Sequence, residues 1–311
     1  MIGNQTNNFV GKSERFESLL RSQVTQNQKY TDKDFPPAFP SIAGFDEQGT
    51  AKSEYGTLVW ERPEIYLKNN KFGVFDTDID PGDIEQGGLG DCYLLGALSS
   101  IAEDPERIKR LIYSKITNQA GVYCVGLCIT GIWEDVILDD MTPCLAKSKD
   151  PAFNQSKSDE LWVILMEKAW AKVHGGYGNI VGGLLREALH DLTGAPAITF
   201  FTSEGTPETH WKNLMDAENQ GFIMACGSDD IKQSGDDSID ANLGLAGNHA
   251  YSLLSVHEIV TEGGKRRELG ANEPSSPNNE RIVKLRNPWG EGEWKGDWGD
   301  KSTKWTPELR Q

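Results

Sequence analysis

Gln86-Gly87-Gly88-Leu89-Gly90-Asp91-Cys92-Tyr93-Leu94-Leu95-Gly96-Ala97-Leu98 changes character halfway along. The first half is a glycine-rich loop. The second half is apolar nearly all round at helical spacing, which predicts a buried helix that starts at Cys92 and stops at Asp104-Pro105. The start of a helix carries partial positive charge, which stabilises a thiolate. A cysteine on an apolar helix, read alone, is a small buried hydrophobe. The flanking glycines, which let backbone approach closely and leave the mouth of a site open, favour a nucleophile instead. Gln86, six residues upstream, can turn an amide N–H2 toward an oxyanion.

A cysteine nucleophile needs a base, usually histidine, and a group that orients it. Five histidines are available. His174 and His190 sit at or near helix ends and read as caps. His210 reads as solvated on a polar helix face, and His257, beside Glu258, as a residue of an edge strand. His249 differs: it follows Gly247-Asn248 and opens the strongest strand pattern of the second half, where a side chain can point into a cleft from a fixed backbone. Asn287, in Arg286-Asn287-Pro288-Trp289-Gly290, ends another apolar strand. Its amide can accept from an imidazole, and Trp289 can shield that bond from water. Asn-Pro alone is a turn signal; the order Cys, His, Asn with Gln86 ahead of it is far more specific.

Outward from these segments, a short helix is expected near Glu14–Val24, strands over Val122–Ile129 and Glu134–Leu138 around a Thr130-Gly131 turn, and a long helix over Asp159–Val173. Thr206-Pro207-Glu208 starts another helix that ends before Gly221. Strand-like Phe222–Cys226, Ala250–Val260 and Arg281–Arg286 follow. The fold class is therefore α+β, helix-rich in the first half and strand-rich in the second. The 311 residues favour two domains, and 9 Trp, 8 Tyr and 11 Phe supply real cores. Acidic residues outnumber basic ones 47 to 31, for a net charge of −16, which argues against a nucleic-acid partner. The longest uncharged stretch, Ile116–Trp133, contains Asn118, Gln119, Thr130 and three glycines, so no transmembrane segment is expected. With no secretory signal and five scattered cysteines lacking any CxxC pair, the reading is cytoplasmic, with reduced thiols.

The segments around Cys92, His249-Ala250-Tyr251-Ser252 and Arg286-Asn287-Pro288-Trp289-Gly290-Glu291 resemble the three catalytic segments of calpains. Supporting stretches also look alike: Phe35-Pro36-Pro37, Trp60-Glu61-Arg62-Pro63, Glu160-Leu161-Trp162, Glu167–Lys172 and Gly182-Gly183. The resemblance spans roughly residues 35 to 307. It implies a papain-like protease core of two lobes, 35–183 with Cys92 and 184–311 with His249 and Asn287, behind an appendage over 1–34. It implies peptide-bond hydrolysis through a thioester, with protein or peptide substrates, an oxyanion held by Gln86 and the Cys92 N–H, and substrate backbone bound at Gly183. Two departures stand out. Tyr93 replaces the usual Trp after the nucleophile. Asn248 replaces a substrate-contacting Gly; Asn tolerates left-handed backbone, but its side chain crowds the cleft.

Calpains bind Ca²⁺ in each lobe. Asp83 and Glu160 match first-lobe carboxylate ligands, Asp76 and Asp78 match positions that ligate through backbone carbonyls, and Glu293 and Asp300 match second-lobe ligands. Asp76–Gly87 is not an EF-hand, since Pro81 stands where that loop needs Gly and Gly87 where it needs an acid. The chain ends soon after Asn287, so the second lobe reads as truncated, and further regulatory domains or a subunit are expected elsewhere. The rival is a catalytically inactive calpain-like module that binds calcium or partners. A transglutaminase shares the thiol–imidazole chemistry but fits Gln86 and Asn287-Pro288-Trp289 poorly.

Overall fold

The computed structural model describes residues 13–44, 58–67, 72–75, 78–229, 238–270 and 273–310. The chain forms two compact units that divide between Ala197 and Ile198.

In the first unit, helix α1 (Glu14–Thr25) starts where Ser13 Oγ accepts from the Phe16 N–H at 3.2 Å. Phe16 packs with Ala120, Val122, Cys124 and Ile137. The N-terminal segment is bound by charge as well. Asp32, fully buried, accepts from Lys172 Nζ at 2.6 Å. Ser13, Phe16 and Asp32 are thus buried in this unit, while most of the other residues over 13–34, a stretch expected as an appendage, stay exposed. Helix α2 (Cys92–Ala102) is buried along nearly its whole length. Asp104 ends the run and then caps helix α3 (Pro105–Leu111), its side chain accepting from Glu106 N–H.

Strands β1 (Leu58–Glu61), β2 (Ile84–Glu85), β3 (Val122–Ile129), β4 (Ile132–Asp139), β5 (Thr142–Leu145) and β6 (Gln155–Ser156) make three antiparallel pairs: β1 with β5, β2 with β6, and β3 with β4 around the expected Thr130-Gly131 turn. Helix α4 (Trp162–Val173) carries Trp162 and Trp170 into the core. Helix α5 (Leu185–Thr193) packs on α2 and β3. That packing keeps residues 184–197 with the first unit and moves the division past the expected 183/184 boundary.

The second unit opens with α6 (Pro207–Asn219), capped by Thr206 Oγ accepting from Thr209 N–H. Its sheet runs β10 (Glu280–Arg286), β8 (Ala250–Glu262), β7 (Met224–Gly227), with β9 (Lys265–Glu268) hairpinned onto β8. Trp211 packs with Leu253 and Val256 beneath it. Elements of both kinds in small antiparallel sheets make the class α+β. No helix among the described residues is long and apolar enough to cross a membrane.

Candidate active site

Cys92 is the first residue of α2 and is partly exposed. The loop ahead of it is fixed by close backbone approach. A Cβ on Gly87 would lie 1.9 Å from the Phe153 carbonyl oxygen, so only glycine fits there. Gly88 N–H donates to Ala152 O at 3.0 Å, and Gly90 O accepts from Gly182 N–H at 2.8 Å. The Gln86 amide lies within this loop, its Nε2 donating to Leu89 O at 2.7 Å. Gly183 is exposed, and a Cβ there would run into the Tyr93 ring at 2.4 Å. The Tyr93 hydroxyl accepts from Trp170 Nε1 at 3.0 Å, which ties α2 to α4. All five cysteines are free. Burial pushes the other four thiols up, Cys226 to about 11 and Cys144 to about 12, which keeps them protonated and inert.

In the second unit, His249 sits just before β8 and is 2% exposed. Ser228 holds its backbone: Ser228 N–H donates to His249 O (2.9 Å), and His249 N–H donates to Ser228 Oγ (3.2 Å). Asn248 is exposed and has φ 47°, the left-handed region that Asn tolerates. His249 Nε2 lies 2.8 Å from Asn287 Oδ1. The orientation of that amide is set by its surroundings: Asn287 Nδ2 donates to Glu291 O at 2.8 Å, and Oδ1 accepts from Trp289 N–H at 3.0 Å. Since Oδ1 only accepts, His249 donates through Nε2–H, and the basic lone pair of the neutral ring is on Nδ1. The Trp289 ring lies 4.2 Å from the imidazole, and the Tyr251 ring meets it edge-on at 5.0 Å.

The other histidines take structural places. His174 Nδ1 lies 2.8 Å from Trp170 O at the end of α4, and His190 pairs with Asp191. His210 is not solvated: it stacks on Phe200 at 5.3 Å. His257 is not on an edge strand either. It lies on β8, a strand with neighbours on both sides, paired with Ile282 of β10, and its ring bonds Glu268 and Ser255.

Of the acidic residues expected to bind metal, Asp83 and Glu160 flank one strand pair. Asp83 precedes β2, Glu160 follows β6, and Lys157 N–H donates to Asp83 O at 2.9 Å. Glu160 is fully buried, its Oε2 accepting from Trp162 Nε1 (2.9 Å) and Ser156 Oγ (3.5 Å). Asp83 Oδ2 accepts from Asp80 N–H at 2.8 Å, closing the single turn Pro81–Asp83. Hard oxygen donors of this kind suit calcium. Asp78 is exposed, and Asp76 lies outside the described residues. Glu293 and Asp300 are both exposed. Among the described residues, no three His, Cys, Asp or Glu side chains are gathered as a metal cluster.

Sequence reasoning missed one feature, the buried Asp91, Asn154 and Glu167 behind Cys92. The signal for it was faint: two acids in otherwise apolar surroundings on elements expected to be buried.

The profile described as calpain family cysteine protease matches residues 30–311. The chain is 34% identical over 296 residues to the calpain-type cysteine protease DEK1 of Arabidopsis thaliana, covering 91% of this chain and 13% of that protein. It is 30% identical over 308 residues to calpain-8 of Rattus norvegicus (98% and 41%) and 29% identical over 307 residues to the calpain-1 catalytic subunit of Mus musculus (98% and 40%). It therefore spans well under half the length of these relatives.

Proposed function

The chain belongs to the calpain family of cysteine proteases, and from that premise we propose that it is a calcium-dependent endopeptidase acting through Cys92, His249 and Asn287. The observation that carries the reading is the 2.8 Å contact between His249 and Asn287 beside Trp289. It holds a buried imidazole in the tautomer whose Nδ1 can take a thiol proton. A histidine that only filled a core would not need an amide locked by two backbone groups.

In the proposed reaction, His249 Nδ1 takes the Cys92 proton and Sγ attacks the peptide carbonyl carbon. The oxyanion forms against the Cys92 N–H and the Gln86 amide, whose Nε2 carries a second hydrogen beyond the one given to Leu89. The imidazolium returns its proton to the amine as the C–N bond breaks. Water, deprotonated by the same nitrogen, then splits the thioester and regenerates the thiol. Gly183, Asn248 and Trp289 are the proposed contacts for an extended substrate backbone. Asp83, Glu160 and the carbonyls of Asp76 and Asp78 are the proposed calcium ligands. Glu293 and Asp300 form a weaker second set. Bound there, calcium would offset the charge of Asp83 and Glu160, which flank the strand pair ahead of the Gln86 loop.

The test is casein digestion across a calcium titration, with wild type and Cys92→Ala side by side. Hydrolysis that rises with calcium and disappears in Cys92→Ala supports the whole reading. Calcium binding without hydrolysis favours an inactive binding module. Hydrolysis unaffected by a chelator removes calcium and leaves the protease.

A further inference from the structure

The start of α2 rests on two buried carboxyl groups. Asp91 is fully buried, and Glu167, on α4, is 1% exposed. Asn154 links both to the glycine loop. Its Nδ2 donates to Asp91 Oδ2 (2.7 Å), its backbone N–H donates to Glu167 Oε1 (3.3 Å), and its Oδ1 accepts from Gly87 N–H (3.3 Å). Asp91 Oδ1 is buried and meets no N–H or hydroxyl donor. The side chain acting on Asp91 besides Asn154 is the Glu167 carboxyl. Two ionised carboxylates in contact in a dry interior repel, whereas one proton between them satisfies both. Burial pushes both groups up, and the Asp91 charge pushes Glu167 up further, so the pair keeps one proton between them.

Burial acts most strongly on both carboxyls, Asn154 and the Asp91 backbone N–H favour the Asp91 carboxylate, and no cation is among the groups acting on either. Tyr177, from the turn Tyr177–Asn179, faces Glu167, and Tyr93 and Cys92 of α2 lie beside Asp91. Lys168, next to Glu167 on α4, is engaged by Asp139.

We propose that Asp91, Asn154 and Glu167 are positioning residues for the Cys92 thiol, two carboxyls sharing one proton and bridged by an amide. They hold the 86–91 loop and the first turn of α2 in place, and loss of that proton unseats both. This rests on the reading of Cys92 as nucleophile. The folded pair keeps its proton where unfolded carboxyls, near pH 4, have released theirs. Its contribution to stability therefore falls as pH rises from about 4 through the folded pair's own titration.

The test uses the full chain, with melting temperature and peptide-hydrolysis kinetics followed across pH. Glu167→Gln offers Asp91 an N–H that does not titrate. It should flatten the loss of melting temperature with rising pH and move the alkaline limb of kcat up by about one pH unit. Glu167→Leu removes one carboxyl of the pair and should lower kcat about 30-fold at every pH, with KM within about threefold, since a displaced nucleophile costs rate more than binding. Gln at the same position should rescue most of that loss. A wild-type melting slope in Glu167→Gln overturns the shared proton, and wild-type kcat in Glu167→Leu overturns the positioning role. If Glu167→Leu does not fold, Asn154→Ser, which keeps the backbone donor and drops the bridge, carries the same kcat test. If the wild type hydrolyses nothing, the nucleophile reading fails by itself. The melting slopes still decide the shared proton. Cys92 alkylation by iodoacetamide, expected to change at least about tenfold in Glu167→Leu or Asn154→Ser, decides positioning.

Discussion

Both ends of the Asn287 amide are fixed, by Glu291 O at Nδ2 and by Trp289 N–H at Oδ1, before the imidazole arrives. Asn287→Ala should therefore lower kcat by about 10- to 100-fold while changing KM little, because it frees the ring and not the substrate. Unchanged steady-state kinetics would return Asn287 to an ordinary turn residue. Cys92→Ala should abolish hydrolysis and change the unfolding free energy by about 1 kcal/mol or less, since Cys92 is partly exposed. Cleavage at the wild-type rate in that variant sinks the nucleophile assignment. These residues could be singled out in the sequence because their chemistry and local pattern coincide: a thiol at a helix start, an imidazole at a strand mouth, an amide at a strand end. Asp91 and Glu167 could not. Asp91 stands where an N-cap is expected, yet its side chain caps nothing, and Glu167 sits between helix residues like any solvated charge. Only the meeting of α2 and α4 makes them a pair, and no local pattern encodes that meeting.

Elements with their own punctuation were legible: α6 with Thr206-Pro207 and the β3–β4 turn, while α1 was legible as a short helix without its Ser13 cap. Strand β9, Lys265–Glu268, was not, because four charged residues show no apolar alternation. Nor were β2 and β6, two residues each, whose pairing is decided by the loops around them. Helix α4 begins at Trp162, later than the pattern suggested, because Gly73 and Glu160 form a bridge just ahead of it. The loop before α2 gives a sharp expectation. Gly87→Ala should cost about 2 kcal/mol or more and most of the activity, because the Phe153 carbonyl cannot retreat without shifting Asn154. In the sheet, Glu258 gathers donors from Trp211, Ser275, Ser276 and Asn279. Burial pushes its carboxyl up, but these bonds outweigh burial and leave it below its usual value. Its stabilisation is thus present above about pH 4 and lost as pH falls through the lowered folded value. Glu258→Ala should destabilise the second unit by about 1–3 kcal/mol by orphaning those donors, measured by urea unfolding at neutral pH.

At the scale of the whole chain, two units were foreseeable from length, but not the division after Ala197, which depends on α5 packing back on α2 and β3. The charge of −16 gives the molecule an excess of acid for a polyvalent cation to offset. Activity should fall about 100-fold in excess chelator, the scale of a 1 Å misplacement, and Asp83→Ala should weaken the calcium response more than Glu293→Ala. Full activity with chelator would remove calcium from the mechanism. Starting the chain at Phe35 should cost about 3 kcal/mol or more, since it strips the Asp32 carboxylate from Lys172. Asp32 and Lys172 lie 140 positions apart, and that separation bears on how such a chain is inherited. A recombination that kept everything from Phe35 onward would carry a lysine without its counter-charge and an unfilled hole where Phe16 belongs. The heritable module therefore begins no later than Ser13, and a graft made at Phe35 would arrive broken.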